Sequence, residues 1–432
     1  MTHQETPAHG GGSSRVPSPE SRVPALLAAT LDHLCALVAF DTRNPPRAIG
    51  TGGIFDYLRA QLPGFDLTVT DYGAGAVALL AVRGTPRLLF NVHLDTVPDS
   101  PHWSASPFAL RVTDDRAIGL GACDIKGAAA ALLAAAAHSD GACAFLFTTD
   151  EEANDARCVP AFLRDCSPLP PGEESVLSSS KDARGAGEGS DSPWRGDKDE
   201  PSPQPLSRRE RGFEAIIVAE PTGGKAVLAH RGISSVLLRF AGRAGHASGA
   251  QGATDSALHQ ALRWGVRALD YVESQAHQRF AGLTGLRFNI GRVEGGIKAN
   301  VIAPSAEVRF GFRPLPSMDT DAVLDHLWGL AEVDPAHFEE TFRGPALPAG
   351  NIAAAEARRL AARDLADELG LTIGTAVDFW TEAALFSQAG YTTFVFGPGD
   401  ITQAHGADEW VALDQLVAYA THVHRIIRSG AG

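Results

Sequence analysis

Short apolar runs in this chain end, one after another, next to a histidine or an acidic residue. Residues 87–93, 144–148, 215–218 and 393–396 have the composition of buried strands, and residues 125–137 have the pattern of a helix. Strands that alternate with helices are typical of an α/β domain. In such sheets the ligand sites lie beyond the carboxyl ends of the strands, so the residues that follow these runs are the candidates for chemistry.

Histidines and acids follow these runs at several separate places. They are His93, in the sequence His-x-Asp with Asp95, then Asp124 after a glycine-rich turn, Glu151, Glu152, Glu220 and His405. Each alone has an ordinary explanation, such as a core histidine, a helix-capping aspartate or a solvated acidic loop. Together, two imidazoles and several carboxylates suit zinc or a similar divalent ion, and one acid is left free for proton transfer. The carboxylate of Asp95 is a candidate to accept a hydrogen bond from His93 and fix its tautomer.

Composition excludes several classes of function. The formal net charge is −14, whereas a surface that binds phosphates needs an excess of Lys and Arg, so we expect no nucleic acid and no anionic membrane surface as partner. The most apolar run, residues 128–137, is roughly half of the about 20 residues that a bilayer span needs. The five cysteines are odd in number and form no CxxC pair, so we expect no disulfide framework and a reducing cytoplasm.

Composition also divides the chain. Residues 1–22 are rich in Gly, Ser and Pro, and residues 167–212 are dense in Pro, Gly, Ser and mixed charge. We expect a disordered tail and a disordered insertion, with a protein-binding linear motif as the alternative for the insertion. Between about residues 231 and 344 the pattern predicts the order β-α-β-β-α-β of a ferredoxin-like sandwich. We therefore expect an α/β catalytic domain in residues 23–229 and 346–432, and an inserted α+β domain in residues 230–345.

The ordered set of these residues resembles one superfamily, which includes the dinuclear zinc aminoacylases, carboxypeptidase G and the succinyl-diaminopimelate desuccinylases. The resemblance covers the chain from about residue 25 to its end, apart from the insertion. Residues 40–46, 229–232 and 379–383 look like the acetylornithine and acetylcitrulline deacetylases, and most like the acetylcitrulline branch. Many members carry Asp where this chain has Glu220, but the desuccinylase-like branch has Glu there. The implied fold is a zinc-dependent exopeptidase-like catalytic domain with an inserted lid or dimerisation domain.

The resemblance also implies a role for each candidate residue. His93 and Glu220 would hold one metal ion, Glu152 and His405 another, and Asp124 would bridge them, with one or two Zn²⁺ or Co²⁺ ions per chain. Glu151 would be the general base, Asp95 the partner of His93, and His246 a residue that stabilises the oxyanion. Asn300 and Arg313 would bind the α-carboxylate of the substrate, because an arginine can grip a carboxylate with two parallel hydrogen bonds.

The activity that the resemblance implies is metal-dependent hydrolysis of N-acetyl-L-citrulline, N-acetyl-L-ornithine or both, to acetate and the free amino acid in arginine biosynthesis. The expected partner is a small N-acyl amino acid, and the resemblance is compatible with a homodimer through the inserted domain. Two alternatives stay open at this point. One is a related carboxypeptidase, dipeptidase or desuccinylase on the same scaffold, and the other is a catalytically silent binding protein.

Overall fold

The computed structural model describes residues 19–152, 157–165, 212–249, 255–333, 335–430 and 432. Helix α1 begins at Pro19, and the rest of the predicted tail, residues 1–18, lies outside the described residues. The predicted insertion, residues 167–212, also lies outside them except for Gly212. In the described part of the chain, no helix is both long and apolar enough to cross a bilayer.

Helices and strands alternate through much of the chain. The helices are α1 (Pro19–Val38), α2 (Ile54–Gln61), α3 (Lys126–Ala137), α4 (Cys158–Asp165), α5 (Ala257–Ser274), α6 (Thr320–Gly329), α7 (Ile352–Glu368), α8 (Ala383–Gln388) and α9 (Leu413–Arg428). The strands are β1 (Asp66–Asp71), β2 (Val77–Arg83), β3 (Leu88–His93), β4 (Arg111–Val112), β5 (Arg116–Ile118), β6 (Cys143–Thr148), β7 (Ala215–Val218), β8 (Ile233–Ala241), β9 (Arg279–Phe280), β10 (Leu283–Thr284), β11 (Arg287–Gly295), β12 (Ser305–Arg313), β13 (His337–Gly344), β14 (Thr392–Val395) and β15 (Trp410–Ala412).

A six-stranded sheet forms the centre of the first lobe, in the order β1-β2-β6-β3-β7-β14. Strands β6, β3, β7 and β14 run parallel to one another, and β2 joins β6 antiparallel. Every residue of β3, β6 and β7 is buried, as expected for inner strands that are covered on both faces. The predicted α/β class and the four predicted strands are confirmed by these elements.

Helix α3 lies close to the central sheet because most of its residues are alanine. All residues from Lys126 to Ala136 are buried, and the helix packs between α1 and α9. The small side chains let the three helices approach one another, while Leu132 and Leu133 fill the core. The predicted helix is confirmed, but it begins at Lys126, one residue later than predicted. Asp124 therefore lies two residues before the first residue of α3.

The inserted lobe contains a four-stranded antiparallel sheet in the order β11-β12-β8-β13. Helices α5 and α6 pack on one face of this sheet, against alternate residues such as Val236, Leu238 and Phe310. The order β8-α5-β11-β12-α6-β13 is the predicted β-α-β-β-α-β. The structure adds the hairpin β9–β10, whose strands have two residues each and are too short to give a periodic pattern in the sequence.

The chain enters and leaves the inserted lobe along two adjacent segments. His230 and Leu347 exchange backbone hydrogen bonds of 2.9 and 3.1 Å, and His230 also pairs with Val377 of the first lobe. The crossing is tight, since a Cβ at Gly232 would lie 3.0 Å from the carbonyl oxygen of Gly344. The two lobes are therefore joined by a short, hydrogen-bonded double crossing.

Candidate metal centre

A cluster of polar side chains lies at one edge of the central sheet. Strand β3 ends at His93, and the ends of β6 and β7 are followed by Glu151, Glu152 and Glu220. Because β6, β3 and β7 are adjacent and parallel, their carboxyl ends meet at the same edge. His405 follows β14, which is the next strand in the sheet.

Asp124 lies between two histidines and contacts both. Its Oδ1 is 3.1 Å from Nε2 of His93, and its Oδ2 is 3.1 Å from Nε2 of His405. Oε1 of Glu220 lies 3.5 Å from Nε2 of His93, and Oε1 of Glu152 lies 3.1 Å from Nε2 of His405. The structure therefore brings together all the metal ligands that the sequence predicts, with one glutamate and one oxygen of Asp124 at each imidazole.

The spacings within this cluster fit a divalent metal. Ligand atoms about 2.1 Å from a tetrahedral zinc ion are roughly 3.4 Å from one another, and the contacts here are 3.1 to 3.5 Å. Donor atoms of His93, Asp124 and Glu152 all lie within 4.8 Å of one another. Imidazole and carboxylate donors suit zinc and similar ions. The donor set of His93, Asp124 and Glu152 therefore fits a divalent metal ion.

The cluster concentrates acidic groups whose charges repel one another. Burial raises the pKa of Glu220 well above its ordinary value, and Asp124 and Glu152 raise it further against the opposing effect of His93. Burial lowers the pKa of His93, but the surrounding carboxylates outweigh burial and hold it well above its ordinary value. Asp124 and Glu152 raise the pKa of His405 to about 11. A bound cation would offset this repulsion and let the carboxylates ionise together.

Asp95 supports the cluster in a way that differs in part from the expectation. Nδ1 of His93 donates to the backbone carbonyl of Asp95 at 3.0 Å, while the carboxylate Oδ1 lies 3.5 Å away. The other carboxylate oxygen, Oδ2, accepts hydrogen bonds from the side chain of Asn44 at 2.9 Å and from the backbone N–H of Glu152 at 3.0 Å. The carbonyl therefore fixes the tautomer of His93, while Oδ1 of Asp95, which has no other hydrogen-bond partner among the described residues, lies beside the same Nδ1.

Glu151 lies next to the candidate ligands in the chain. Burial raises its pKa well above the ordinary value, and Glu220, Glu152 and Asp124 add to this against the opposing effect of His93. Among the residues that the structure describes, its carboxylate forms no hydrogen bond or ion pair. A carboxyl group with a raised pKa is suited to exchange protons near neutral pH.

The remaining candidates, His246, Asn300 and Arg313, belong to the inserted lobe. His246 is exposed, and its Nδ1 is 2.8 Å from Oγ of Ser248. The N–H of Ala247 donates to the carbonyl of Asn300 at 3.1 Å, so His246 and Asn300 lie on adjacent segments, whereas Arg313 ends β12. Within the described ranges, no hydrogen bond or ion pair joins these candidates to the cluster. Their roles at the site stay a prediction.

Known proteins are similar to this chain in sequence and in fold. The model of peptidase family M20/M25/M40 matches residues 89–429, which is most of the chain. This chain belongs to peptidase family M20/M25/M40. An N-acetyl-L-citrulline deacetylase from Xanthomonas campestris pv. campestris is 64% identical to it over 403 residues, covering 93% of this chain and 98% of that relative. An acetylornithine deacetylase from Vibrio vulnificus is 28% identical over 374 residues, covering 81% of this chain and 84% of that relative.

Solved structures related to this M20 chain have the same fold. The aminopeptidase PepT from Bacillus cereus has a TM-score of 0.63 at 17% identity, and the match covers 94% of this chain and 99% of that one. An M20 metallo-carboxypeptidase from Sulfolobus solfataricus has a TM-score of 0.63 at 14% identity, with coverage of 93% and 99%. The predicted superfamily and fold are confirmed, and the chain is a metal-dependent hydrolase.

One buried carboxylate of this M20 site, that of Glu409, was not predicted from the sequence. Glu409 accepts backbone hydrogen bonds from Gly121 at 3.1 Å, Cys123 at 2.9 Å and Asp124 at 3.0 Å. These N–H groups belong to the turn that carries Asp124, so Glu409 holds that turn in place. Burial raises the pKa of Glu409 to about 7. Its signal in the sequence is its position four residues after His405 and directly before β15.

A second buried carboxylate, that of Glu382, was also not predicted from the sequence. It accepts a hydrogen bond from the hydroxyl of Thr148 at 3.4 Å. Burial is the main cause that raises the pKa of Glu382 to about 8, and the negative charge of the nearby Asp150 is the second. Glu382 lies in the stretch 379–383, which carries part of the family resemblance.

Proposed function

We propose that this chain hydrolyses the acetyl amide of N-acetyl-L-citrulline and releases acetate and citrulline in arginine biosynthesis. The observation that carries this function is the 64% identity to the N-acetyl-L-citrulline deacetylase of Xanthomonas campestris, over 98% of that relative. The convergence of two imidazoles and three carboxylates at one sheet edge supports it, since amide hydrolysis needs a polarised carbonyl and an activated water.

We infer that the cluster binds Zn²⁺ or Co²⁺. His93 and Glu220 would hold one ion and His405 and Glu152 a second, with Asp124 shared between them. Such ions, when bound, polarise the substrate carbonyl and lower the pKa of water. The chain's own contribution is to present these donors at fixed positions, on the ends of buried strands and on the turn before α3.

Glu151 is the residue that we assign to proton transfer. Its carboxylate is free of hydrogen bonds and ion pairs within the described residues, and its pKa is raised well above the ordinary value by burial and then by neighbouring carboxylates. A group of this kind takes a proton from the attacking water and returns it to the leaving amine. Glu152, its neighbour, is occupied at His405, so the two adjacent acids have separate roles.

The inserted lobe supplies the groups that we assign to substrate binding. Arg313 and Asn300 bind the α-carboxylate, and His246 donates to the developing oxyanion. Arg313 is half-buried; burial lowers its pKa, but a guanidinium stays charged at neutral pH. Because these residues lie on the inserted lobe, closure of the two lobes over the substrate would assemble the site and exclude water.

N-acetyl-L-ornithine is the second candidate substrate. Acetylornithine deacetylases from Vibrio vulnificus and Salmonella are 28% and 27% identical to this chain. The two substrates differ only at the end of the side chain, where citrulline has a neutral ureido group and ornithine has an ammonium. The higher identity to the citrulline enzyme favours the ureido group, so we expect the larger kcat/KM for N-acetyl-L-citrulline.

A substrate panel tests this assignment. The purified chain is assayed on N-acetyl-L-citrulline, N-acetyl-L-ornithine, N-succinyl-diaminopimelate and a dipeptide, each with Zn²⁺ or Co²⁺ and after treatment with a chelator. We expect the highest kcat/KM for N-acetyl-L-citrulline, loss of activity with the chelator and recovery with either ion. A dipeptide or the succinyl compound as the best substrate would overturn the assignment, and activity that resists the chelator would overturn the metal requirement.

We infer that the inserted lobe also forms a homodimer. Leu262, Val266 and Leu269 share one face of α5 and are 59%, 60% and 50% exposed. Val293, on the edge strand β11, is 45% exposed. Light scattering coupled to size exclusion should give the mass of a dimer for the wild type and of a monomer for Val266→Lys. A monomeric wild type would contradict this interface.

We infer that the enzyme works in the reducing cytoplasm, and its cysteines support this location. Cys35, Cys123, Cys143 and Cys158 are free thiols. Denatured protein that was purified without reductant should therefore titrate five thiols per chain, and a lower count caused by disulfides would contradict the location.

A further inference from the structure

Arg231 is a fully buried arginine at the point where the chain enters the inserted lobe. Its relative exposure is 0%, and it directly follows His230, whose backbone pairs with Leu347 and Val377. A buried guanidinium is unfavourable unless its N–H groups have acceptors. The metal, proton-transfer and substrate-binding roles described above do not use this residue.

The guanidinium of Arg231 binds three carbonyls of the inserted lobe. Nη1 donates to the carbonyl of Gly285 at 2.6 Å and to that of Arg313 at 3.4 Å. Nη2 donates to the carbonyl of Thr284 at 2.8 Å. Thr284 ends the hairpin β9–β10, and Arg313 ends β12. Arg231 thus holds the backbone of Arg313 against this hairpin.

The other edge of the same guanidinium binds the first lobe. Nε of Arg231 donates to Oδ1 of Asp378, in the loop before α8. Nearby, Nδ1 of His230 donates to the carbonyl of Arg231 at 2.8 Å, and Nε2 of His230 accepts from the hydroxyl of Thr381 at 3.0 Å. Burial lowers the pKa of His230 to about 4, so the imidazole is neutral and makes both bonds. We name Arg231, Asp378, His230 and Thr381 the hinge clasp.

We propose that Arg231 is a positioning residue: through the hinge clasp it sets the orientation of the inserted lobe, and with it the orientation of Arg313 toward the substrate carboxylate. This role rests on the proposed deacetylase function, in which Arg313 binds that carboxylate. The guanidinium of Arg231 donates to backbone carbonyls and to Asp378, which also lies 3.6 Å from Nε of Arg287, and none of these contacts involves a candidate metal ligand. Its loss should therefore weaken substrate binding and leave metal binding intact.

Arg231→Lys tests whether the role of Arg231 needs the several N–H groups of its planar guanidinium. Lysine keeps the charge but cannot donate in several fixed directions at once. We expect KM for N-acetyl-L-citrulline to rise by about tenfold or more, with the bound metal per chain unchanged. We also expect the preference for N-acetyl-L-citrulline over its decarboxylated analogue to fall by a similar factor.

Arg267→Lys is the matched control for this change. Arg267, on α5, also donates to a carbonyl, that of Leu330 at 2.9 Å, and pairs with the carboxylate of Glu332. It contacts neither the crossing between the lobes nor Arg313, so the control should keep the KM and the carboxylate preference of the wild type.

Two variants of Asp378 separate the hydrogen bond from the charge. Both Asp378→Ala and Asp378→Asn remove the negative charge, which also acts on Arg313, but only Asn keeps an acceptor for Nε of Arg231. We expect Asp378→Ala to raise KM as Arg231→Lys does, and Asp378→Asn to stay within about threefold of the wild type. Since the side chain of Asp378 is 57% exposed, these variants decide the outcome if Arg231→Lys does not fold.

The positioning role is overturned if Arg231→Lys and Asp378→Ala keep the wild-type KM and carboxylate preference, even with a lowered Tm. Equal effects of Ala and Asn at position 378 would also overturn it, because the charge alone would then explain them. A wild type that hydrolyses no N-acyl amino acid would instead overturn the proposed function, which distinguishes the two failures.

Discussion

At the scale of single residues, the site depends on how rigidly Asp124 is held. Its two oxygens each contact a different histidine at 3.1 Å, so a small rotation of this carboxylate would disturb both halves of the cluster. Glu409 restrains the turn by accepting three of its backbone N–H groups. Mutation of residues that orient metal ligands in this way typically lowers the metal affinity.

Glu409→Gln should therefore weaken metal binding. The amide places an N–H₂ donor against backbone N–H donors, so at least one of the three hydrogen bonds is lost. We expect the metal affinity to fall by about 10–100-fold, measured by competition with a chromophoric chelator. Glu368→Gln is the control, because Glu368 lies on the surface in an ion pair with Arg87. Unchanged affinity in Glu409→Gln would contradict the restraining role.

Glu151→Gln should separate catalysis from metal binding. The amide keeps the size of the side chain but cannot exchange a proton, so kcat should fall by about 10²–10⁴ while the metal content stays that of the wild type. Glu152→Gln gives the opposite pattern, with metal loss, because Glu152 contacts His405 directly. Measuring kcat and bound metal on the same samples checks both, and a wild-type kcat in Glu151→Gln would refute its role.

At the scale of elements, the sequence is informative where neighbouring residues decide the structure. The apolar runs of β3, β6 and β7 predicted buried strands of an α/β domain, and the position beyond their ends made His93 and Glu220 candidates for chemistry. The pairing of His93 with Glu220 came from the family resemblance. Contacts between distant segments left no such signal: Asn44 reaches Asp95 across 51 residues, and Glu409 reaches Asp124 across 285. The roles of His246, Asn300 and Arg313 depend on how the lobes approach, which no local pattern encodes.

Gly127→Ala tests the link between α3 and the turn that carries Asp124. A Cβ at Gly127 would lie 2.4 Å from the carbonyl oxygen of Ala122, so the turn has to shift. We expect a loss of about 1–3 kcal/mol in the free energy of unfolding, together with weaker metal binding. Urea denaturation and metal titration measure the two effects.

Gly329→Ala is the matched control for this helix substitution. Gly329 ends α6, and no heavy atom lies within 4 Å of a Cβ built there. Alanine should leave the stability unchanged or raise it slightly, because it has the higher helix propensity. If Gly127→Ala were equally harmless, the close packing of α3 on the turn would not matter for the site.

At the scale of the whole molecule, the proposed function assigns different tasks on the substrate to the two lobes. The metal cluster lies on the first lobe, whereas Arg313 lies on the inserted lobe. The formal net charge of −14 repels an anionic substrate at long range, so a local cation is needed to hold its carboxylate. A substrate with its acyl carbonyl at the cluster and its carboxylate at Arg313 would span both lobes and favour their closure.

Arg313→Ala should therefore remove the preference for a carboxylate. Truncating one partner of a buried charged hydrogen bond commonly costs about 2–5 kcal/mol, or roughly 30-fold and more in affinity, so KM for N-acetyl-L-citrulline should rise by at least that factor. If closure depends on the carboxylate, kcat should fall as well. Arg309→Ala is the control, since Arg309 lies on the same strand in an exposed pair with Glu307. The assay compares N-acetyl-L-citrulline with its decarboxylated analogue on the wild type and both variants. If the wild type hydrolyses both compounds equally well, or Arg313→Ala discriminates as sharply as the wild type, another residue binds the carboxylate, and the substrate does not span the lobes through Arg313.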